Sequence, residues 1–253
     1  MARQLTWLSD AEWAKIEPLL PQGRSGARRV DDRRVISGIV HMLKSGARWR
    51  DCPPEYGPYT TIYNRFHRWS QQGVWFAVFE ALTGYSGVWG SVAIDSTSIK
   101  VHRSAAGAKG GPFAQGIGTS RGGRTSKIHG LTDAAGRPRI LLISPGNLSD
   151  MTMAPALIEA ASGRFDRLIA DKGYDSNAIR AAVEAQGAEV VIPSTRSRKT
   201  PIPYDRDAYR ARNLVERLWC RLKDWRRIAT RYDKLATNYM AGVVLAAVIT
   251  FWC

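Results

Sequence analysis

The sequence predicts a helical module followed by an α/β domain, and three observations carry that reading. Up to about residue 88, apolar residues recur at helical spacing. From residue 90, runs rich in β-branched residues take over, as in "SVAIDSTSIKV" and "RPRILLIS". Strand-like and helix-like runs then alternate, giving the order β-β-β-α-β-α-β-α. The expected division is a helix-turn-helix-like module over 1–88 and an α/β domain over 89–253.

Taken in order, Ser9 and Glu12 have capping-box spacing, with Leu8 and Trp13 placed for a hydrophobic staple. The helix they open should stop or kink near Pro18. After the basic loop "PQGRSGARR", the stretch "DDRRVISGIVHMLKSG" reads as a second helix, with acids at its start and Gly46 just past its end. His41, in that apolar setting, reads as a packed core residue. In "TTIYNRFHRWSQQG", Ile62, Phe66 and Trp69 make an apolar face, and Arg65, Arg68 and Gln72 fall on the other. A short basic amphipathic helix after two others resembles a DNA recognition helix; a solvated outer face is the plain alternative. A further helix closes the region near Gly84, and "TGYSGVWG" at 83–90 is the candidate linker.

In the second part, two strands should be joined by a turn at Asp133 to Gly136. The Gly- and Arg-rich segment 103–124 reads as a mobile loop whose cations would close on a phosphate backbone. A helix from about Thr152, the strand "RLIADKGY", a helix from Ser176 and the strand "AEVVIPS" follow. A basic, proline-bearing link then leads into "YRARNLVERLWCRLK", read as one helix from Tyr209 to Lys223. The tail "GVVLAAVITFWC" is too short to span a bilayer and reads as a buried helix.

With 253 residues the chain has room for one large domain or two ordinary ones. A hydrophobic content of 44% argues against wholesale disorder. Lys and Arg number 37 against 22 Asp and Glu, a formal charge of +15, which points to nucleic acid; an inert basic surface is the alternative. Cys52, Cys220 and Cys253 are far apart and form no C-x-x-C pair. That excludes a disulfide framework and a Cys-based zinc site, and fits a reducing cytoplasm. No apolar run follows Arg3, so no signal peptide is expected.

The last long helix carries the chemistry. At helical spacing Tyr209, Arg212, Glu216 and Lys223 fall within an arc of about 60°. Leu214, Val215, Leu218, Leu222 and Trp225 gather broadly opposite, so burial does not need the charged stripe. Asp95 stands in the middle of a strand, where a charge is costly unless paired or metal-bound. Asp171 ends a strand, where α/β sites are built. Together with Glu216 these acids would make an oxygen-rich site of the kind Mg²⁺ prefers. Two such ions activate an attacking hydroxyl and stabilise a leaving oxygen of a phosphodiester. Plainer readings stay open: Asp95 paired with Lys100 or an Arg of the basic surface, and Glu216 with Arg212 at i,i+4. Asp133 reads as a turn residue, and Asp150 and Asp175 as helix caps. The four His show no H-x-x-x-H spacing, and no phosphate-binding G-x-x-x-x-G-K-[ST] loop is present.

The chain resembles the DDE transposases of the bacterial insertion sequence 5 family, within the insertion sequence 4/5 superfamily. Tyr209, Arg212, Glu216 and Lys223 match the whole Y-(2)-R-(3)-E-(6)-K signature of that family. "AIDSTSIKVHR", "LIADKGYDS" and "LKSGARWRDCPPEYGPYTTIYNRFHRW" resemble it too, so the likeness covers nearly the whole chain. It implies a ribonuclease H-like catalytic domain over 89–253, with Asp95, Asp171 and Glu216 as catalytic and metal-binding residues. It further implies two Mg²⁺ ions, with Mn²⁺ able to substitute, and Tyr209, Arg212 and Lys223 gripping DNA. The partners implied are double-stranded DNA, as terminal inverted repeats and as target, and a second subunit on that DNA. The expected place is the bacterial cytoplasm, with the nucleoid when DNA-bound and no membrane. Glu216 follows Asp171 by 45 positions, which leaves no room for the large β-rich insertion found there in parts of the superfamily.

Overall fold

The computed structural model describes residues 4–22, 31–84 and 87–253, so the basic loop and the linker expected from the sequence lie partly outside it. Four helices come first: α1 (Asp10–Ile16), α2 (Asp32–Ser45), α3 (Tyr59–Gln71) and α4 (Val74–Thr83). Next come β1 (Ser91–Val101), α5 (Gly111–Ala114), β2 (Gly118–Ser120), β3 (Gly123–Thr132) and β4 (Pro138–Pro145). Alternation follows, through α6 (Asp150–Ala160), β5 (Arg167–Ile169), α7 (Asn177–Glu184) and β6 (Glu189–Val191). The chain ends with α8 (Arg206–Tyr209), α9 (Asn213–Lys223), α10 (Arg226–Ala229) and α11 (Ala236–Phe251). Among the described residues no helix is long and apolar enough to cross a membrane.

Two compact units result. One gathers Met1–Tyr85, His102–Ala108 and Leu222–Cys253; the other gathers Ser86–Val101 and Lys109–Arg221. These units do not divide at one point in the sequence. Helix α11 is buried from Asn238 through Ile249 and packs on α2, α3, α4 and α10, because a helix apolar on every side must be surrounded.

In the first unit the local signals behave as expected. The Glu12 carboxylate accepts the Ser9 N–H at 2.7 Å while the Ser9 hydroxyl accepts the Glu12 N–H, and α1 gives way to a 3₁₀ turn holding Pro18. Gly46 ends α2 at φ 73°, and a Cβ there would come within 2.7 Å of the Arg226 Cβ. His41 is buried, its Nδ1 accepting the Thr6 N–H at 3.4 Å. Arg65 is a correction. It is 5% exposed rather than on an outer face, because its position borders the arc of Ile62, Phe66 and Trp69. Its charge is met by Asp32 of α2 and by the face of Trp69, 4.8 Å away. Arg68 is exposed.

In the second unit β1 lies at the centre of the sheet. It runs antiparallel to β3 on one side and parallel to β5 on the other, with β6 parallel beyond β5. The far edge of β3 pairs with β4 along 126–132 and with β2 along 123–125. Ile94, Leu131 and Leu168 share one core with Leu157 and Ile158 of α6 and Ile179 and Val183 of α7. The expected strand and helix order holds, with β2 in addition. The Gly-rich segment is therefore not a plain loop: it contains a 3₁₀ turn, α5 and β2. Asp133 is the turn residue expected, accepting the N–H groups of Ala135 and Arg137 at 3.0 Å each. Asp150 and Asp175 are not caps. Ser149 and Ser176 hold those places, while Asp150 pairs with Lys127 at 2.8 Å and Asp175 is a buried hub for Arg180 and Arg198.

Candidate active site

Within the second unit, three acids from distant parts of the sequence converge on one guanidinium. Asp95 projects from mid-β1, directly opposite Gly130 of β3. A Cβ on Gly130 would lie 2.8 Å from the ring of Trp219, so the missing side chain is what lets α9 lay its indole on the sheet. From there the Trp219 N–H donates to Asp95 Oδ2 at 3.0 Å. Asp171 lies two residues beyond β5 and caps a 3₁₀ turn, accepting the Gly173 N–H at 2.7 Å. Any side chain at Gly173 would press within 2.8 Å of that same oxygen. Glu216 stands exposed on the first turn of α9.

Arg212 joins them. Its Nη1 donates to Glu216 Oε1 at 2.6 Å, and its Nη2 lies 3.7 Å from Asp171 Oδ2 and 3.9 Å from Asp95 Oδ1. The side chain is 20% exposed, and its Nε is buried without a hydrogen bond among the described residues. Burial pushes the Asp95 carboxyl above its ordinary value, and the nearby Asp171 adds to this. The Ser96 N–H, the Trp219 indole and Arg212 pull the other way without prevailing. Burial alone would lower the Arg212 pKa, but Glu216 and Asp95 together raise it. The site is thus a set of carboxylates that wants a cation and holds one of the protein's own.

The segment bearing Tyr209 to Lys223 is not one regular helix. Residues Arg210–Arg212 form a 3₁₀ turn between α8 and α9, yet the Arg212–Glu216 bond keeps their common face. Tyr209 is half-buried, edge-on to Tyr204 at 5.5 Å between ring centres, and burial raises its pKa. Lys223 is the exposed last residue of α9 and groups with the first unit, as do Arg65 and Arg68. So Asp95, Asp171, Glu216 and Arg212 come together, and Arg65 is committed to Asp32.

Sequence reasoning missed Trp219, Gly130 and Gly173. A glycine inside a β-branched run facing the strand of Asp95 was the available signal, since it marks a close approach. The donor set suits a hard divalent cation in kind: three carboxylates, all oxygen. Among the described residues no three acid, His or Cys side chains already close on a metal position, because the acids are drawn to Arg212.

Two family models match the chain. One, described as a transposase of the IS4/5 family (DUF4096), covers residues 8–79, and one described as a transposase DDE domain covers residues 91–251. The transposase assigned to insertion sequence element IS6501 of Brucella ovis is 34% identical over 125 residues, 48% of this chain and 94% of that protein. The transposase assigned to insertion sequence element IS402 of Burkholderia cepacia is 29% identical over 144 residues, 53% of this chain and 66% of that protein. Among solved structures, the piggyBac transposase synaptic complex with hairpin DNA aligns with a TM-score of 0.52 and 10% identity, over 94% of this chain and 69% of that chain. At that identity the likeness speaks for the fold, which is ribonuclease H-like.

Proposed function

The chain belongs to the DDE transposases of the IS4/5 type, and from that premise we propose that it cuts the ends of an insertion sequence and joins them to target DNA. The observation that carries the reading is the convergence of Asp95, Asp171 and Glu216 on Arg212. In the first step water attacks a phosphodiester at the element's end, breaking the bond to the 3′ oxygen and leaving a 3′-hydroxyl and a 5′-phosphate. In the second, that 3′-hydroxyl attacks a target phosphodiester, so one bond forms as one breaks and no outside energy is needed.

Asp95, Asp171 and Glu216 would hold divalent ions, Mg²⁺ foremost. Bound there, such ions supply Lewis acidity toward the phosphoryl oxygens and a lowered pKa for the attacking water. The protein's own part is preparation. Trp219 fixes one Asp95 oxygen, and the Gly173 N–H fixes one of Asp171. Arg212 keeps the three acids gathered, and its planar fork suits phosphate oxygens once DNA arrives. Tyr209 beside it would hold the strand near the cut. Lys223 and Arg68, both exposed, would contact phosphates and set orientation rather than sequence. The charge of +15 favours that approach, and two subunits would serve the two ends.

The test uses a labelled duplex bearing the element's end, a target plasmid and Mg²⁺. Wild type should cut and join, while Asp95→Ala, Asp171→Ala and Glu216→Ala bind DNA but lose at least about a hundredfold in both steps, more than an outer partner of a metal site costs. Cutting that survives any one substitution removes that residue from the set. Cutting without joining would mean a resolvase-like nuclease, and binding alone a non-catalytic DNA-binding protein.

A further inference from the structure

The first unit contains a cavity of about 530 Å³, a size at which small-molecule and nucleotide sites are found. It opens along the exposed side of α3, where Tyr59, Tyr63 and Asn64 line it, and Trp49, Tyr232 and Lys234 form other walls. The rings are held in place by the unit itself. Tyr63 lies 5.5 Å from Trp49 and stacks on His67 at 6.0 Å with planes 9° apart. His67 is in turn bonded to Asn238 of α11. Arg227, 5% exposed, sits over both Trp49, at 5.1 Å, and Tyr232, at 5.5 Å. Its other bonds run to Ala47 and Asp233, which fixes its plane.

Two donors at this wall remain unmet. The Trp49 indole N–H and the Arg227 Nε are buried and make no hydrogen bond among the described residues. Buried donors of that kind are costly unless a ligand or water meets them. The cavity is lined by fixed aromatic rings, with an exposed amide at Asn64 and an exposed ammonium at Lys234. Planar faces, an edge-reading amide and a cation at the rim are the three things that an unpaired base on its phosphate chain requires.

We propose that this cavity is a binding site for a single unpaired nucleobase. The base stacks on Tyr63 and Tyr232, its edge meets Asn64, and the adjoining phosphate meets Lys234. The inference rests on DNA being the partner. It adds that the helical unit binds a base drawn out of the duplex, separately from the carboxylate site. Stacking would favour pre-unpaired DNA, since there the cost of opening a pair is already met.

The experiment uses the full chain and three probes of one sequence: a paired duplex, the same duplex with a one-nucleotide bulge of 2-aminopurine, and a single strand carrying 2-aminopurine. Wild type should prefer the bulge and quench its fluorescence, as stacking on a ring does. Tyr63→Leu and Tyr232→Leu should lose the quench and about tenfold of the bulge preference, with paired-duplex affinity and its salt dependence unchanged. Asn64→Leu, on an exposed position, should reduce the bulge preference without touching the fold, which guards against a misfolded tyrosine variant. Paired-duplex binding without bulge preference, or quenching that survives both tyrosine changes, overturns the pocket and leaves the transposase reading intact. Failure to bind any of the three probes overturns both.

Discussion

Asp175, buried, and Asp95, half-buried, are two carboxylates of one unit, and they are treated in opposite ways. Asp175 has a side chain with 0% exposure and is answered in full by Arg198 at 2.8 Å, Arg180 at 2.9 Å and the Thr195 N–H at 2.7 Å. Arg198 above all, against the pull of burial, holds its carboxyl well below the usual carboxylate range. Asp95, 15% exposed, is bonded by neutral donors, the Trp219 indole and the Ser96 N–H, with its arginine at 3.9 Å, and its carboxyl is pushed up instead. A carboxylate that only supports structure is saturated by the protein. One kept short of positive charge has room for a cation, which is the role proposed above for Asp95.

Removing the saturated member should produce the larger stability effect. Asp175→Ala leaves Arg180 buried without its ion pair and should cost about 3–5 kcal/mol in urea unfolding. Loss of less than about 1 kcal/mol would show that the hub is not the anchor described. The sign with pH follows from the direction of the shift. A depressed folded pKa means that the Asp175 contribution is present above the unfolded carboxylate range and is lost as pH falls through the lower folded value.

His129 extends the comparison to a buried base. It is 0% exposed, its Nε2 shares a 2.7 Å bond with Ser144, and burial lowers its pKa from 6.5 to about 4. Between those values the unfolded chain takes up a proton that the native state refuses, so stability should decline as pH falls across that window. The decline should be on the order of 3 kcal/mol and should flatten in His129→Gln, as read by unfolding at several pH values. An unchanged slope in the variant would place the titrating group elsewhere.

The smallest effect is expected at Asp95, and it should have the opposite sign. Its raised pKa means that stability is lost as pH rises through the folded value, because the charged form is penalised in the native state. Asp95→Asn should therefore raise Tm by roughly 2 °C at neutral pH, with the gain vanishing near the unfolded Asp value of about 4. A lower Tm at neutral pH would mean that Arg212 already satisfies the carboxylate, and the contrast with Asp175 would fail.

Much of this was legible in the sequence. Capping and glycine signals marked the helices, β-branched runs marked β1, β3 and β4, and the spacing from Tyr209 to Lys223 put Arg212 and Glu216 on one face. Those features depend on neighbours within a turn or a strand, which a sequence displays directly. The places where reading failed depend on what packs from far away. Arg65 was read onto the polar face although it borders the apolar arc, and the Asp32 that meets its charge inside is 33 residues away. Asp175 passed for a cap because Arg198, 23 residues on, is invisible to local pattern.

The sequence by itself determined the order of elements and the basic charge and singled out Asp95, Asp171 and Glu216 as candidates, since period, composition and a spaced signature are local or additive properties. Only the tertiary structure decided that Arg212 is the cation among those acids, that Gly130 makes room for Trp219 to reach Asp95, and that the last helix joins the first ones. Each of those outcomes is a contact between residues far apart in the chain, fixed by the shape and burial of the surfaces that meet.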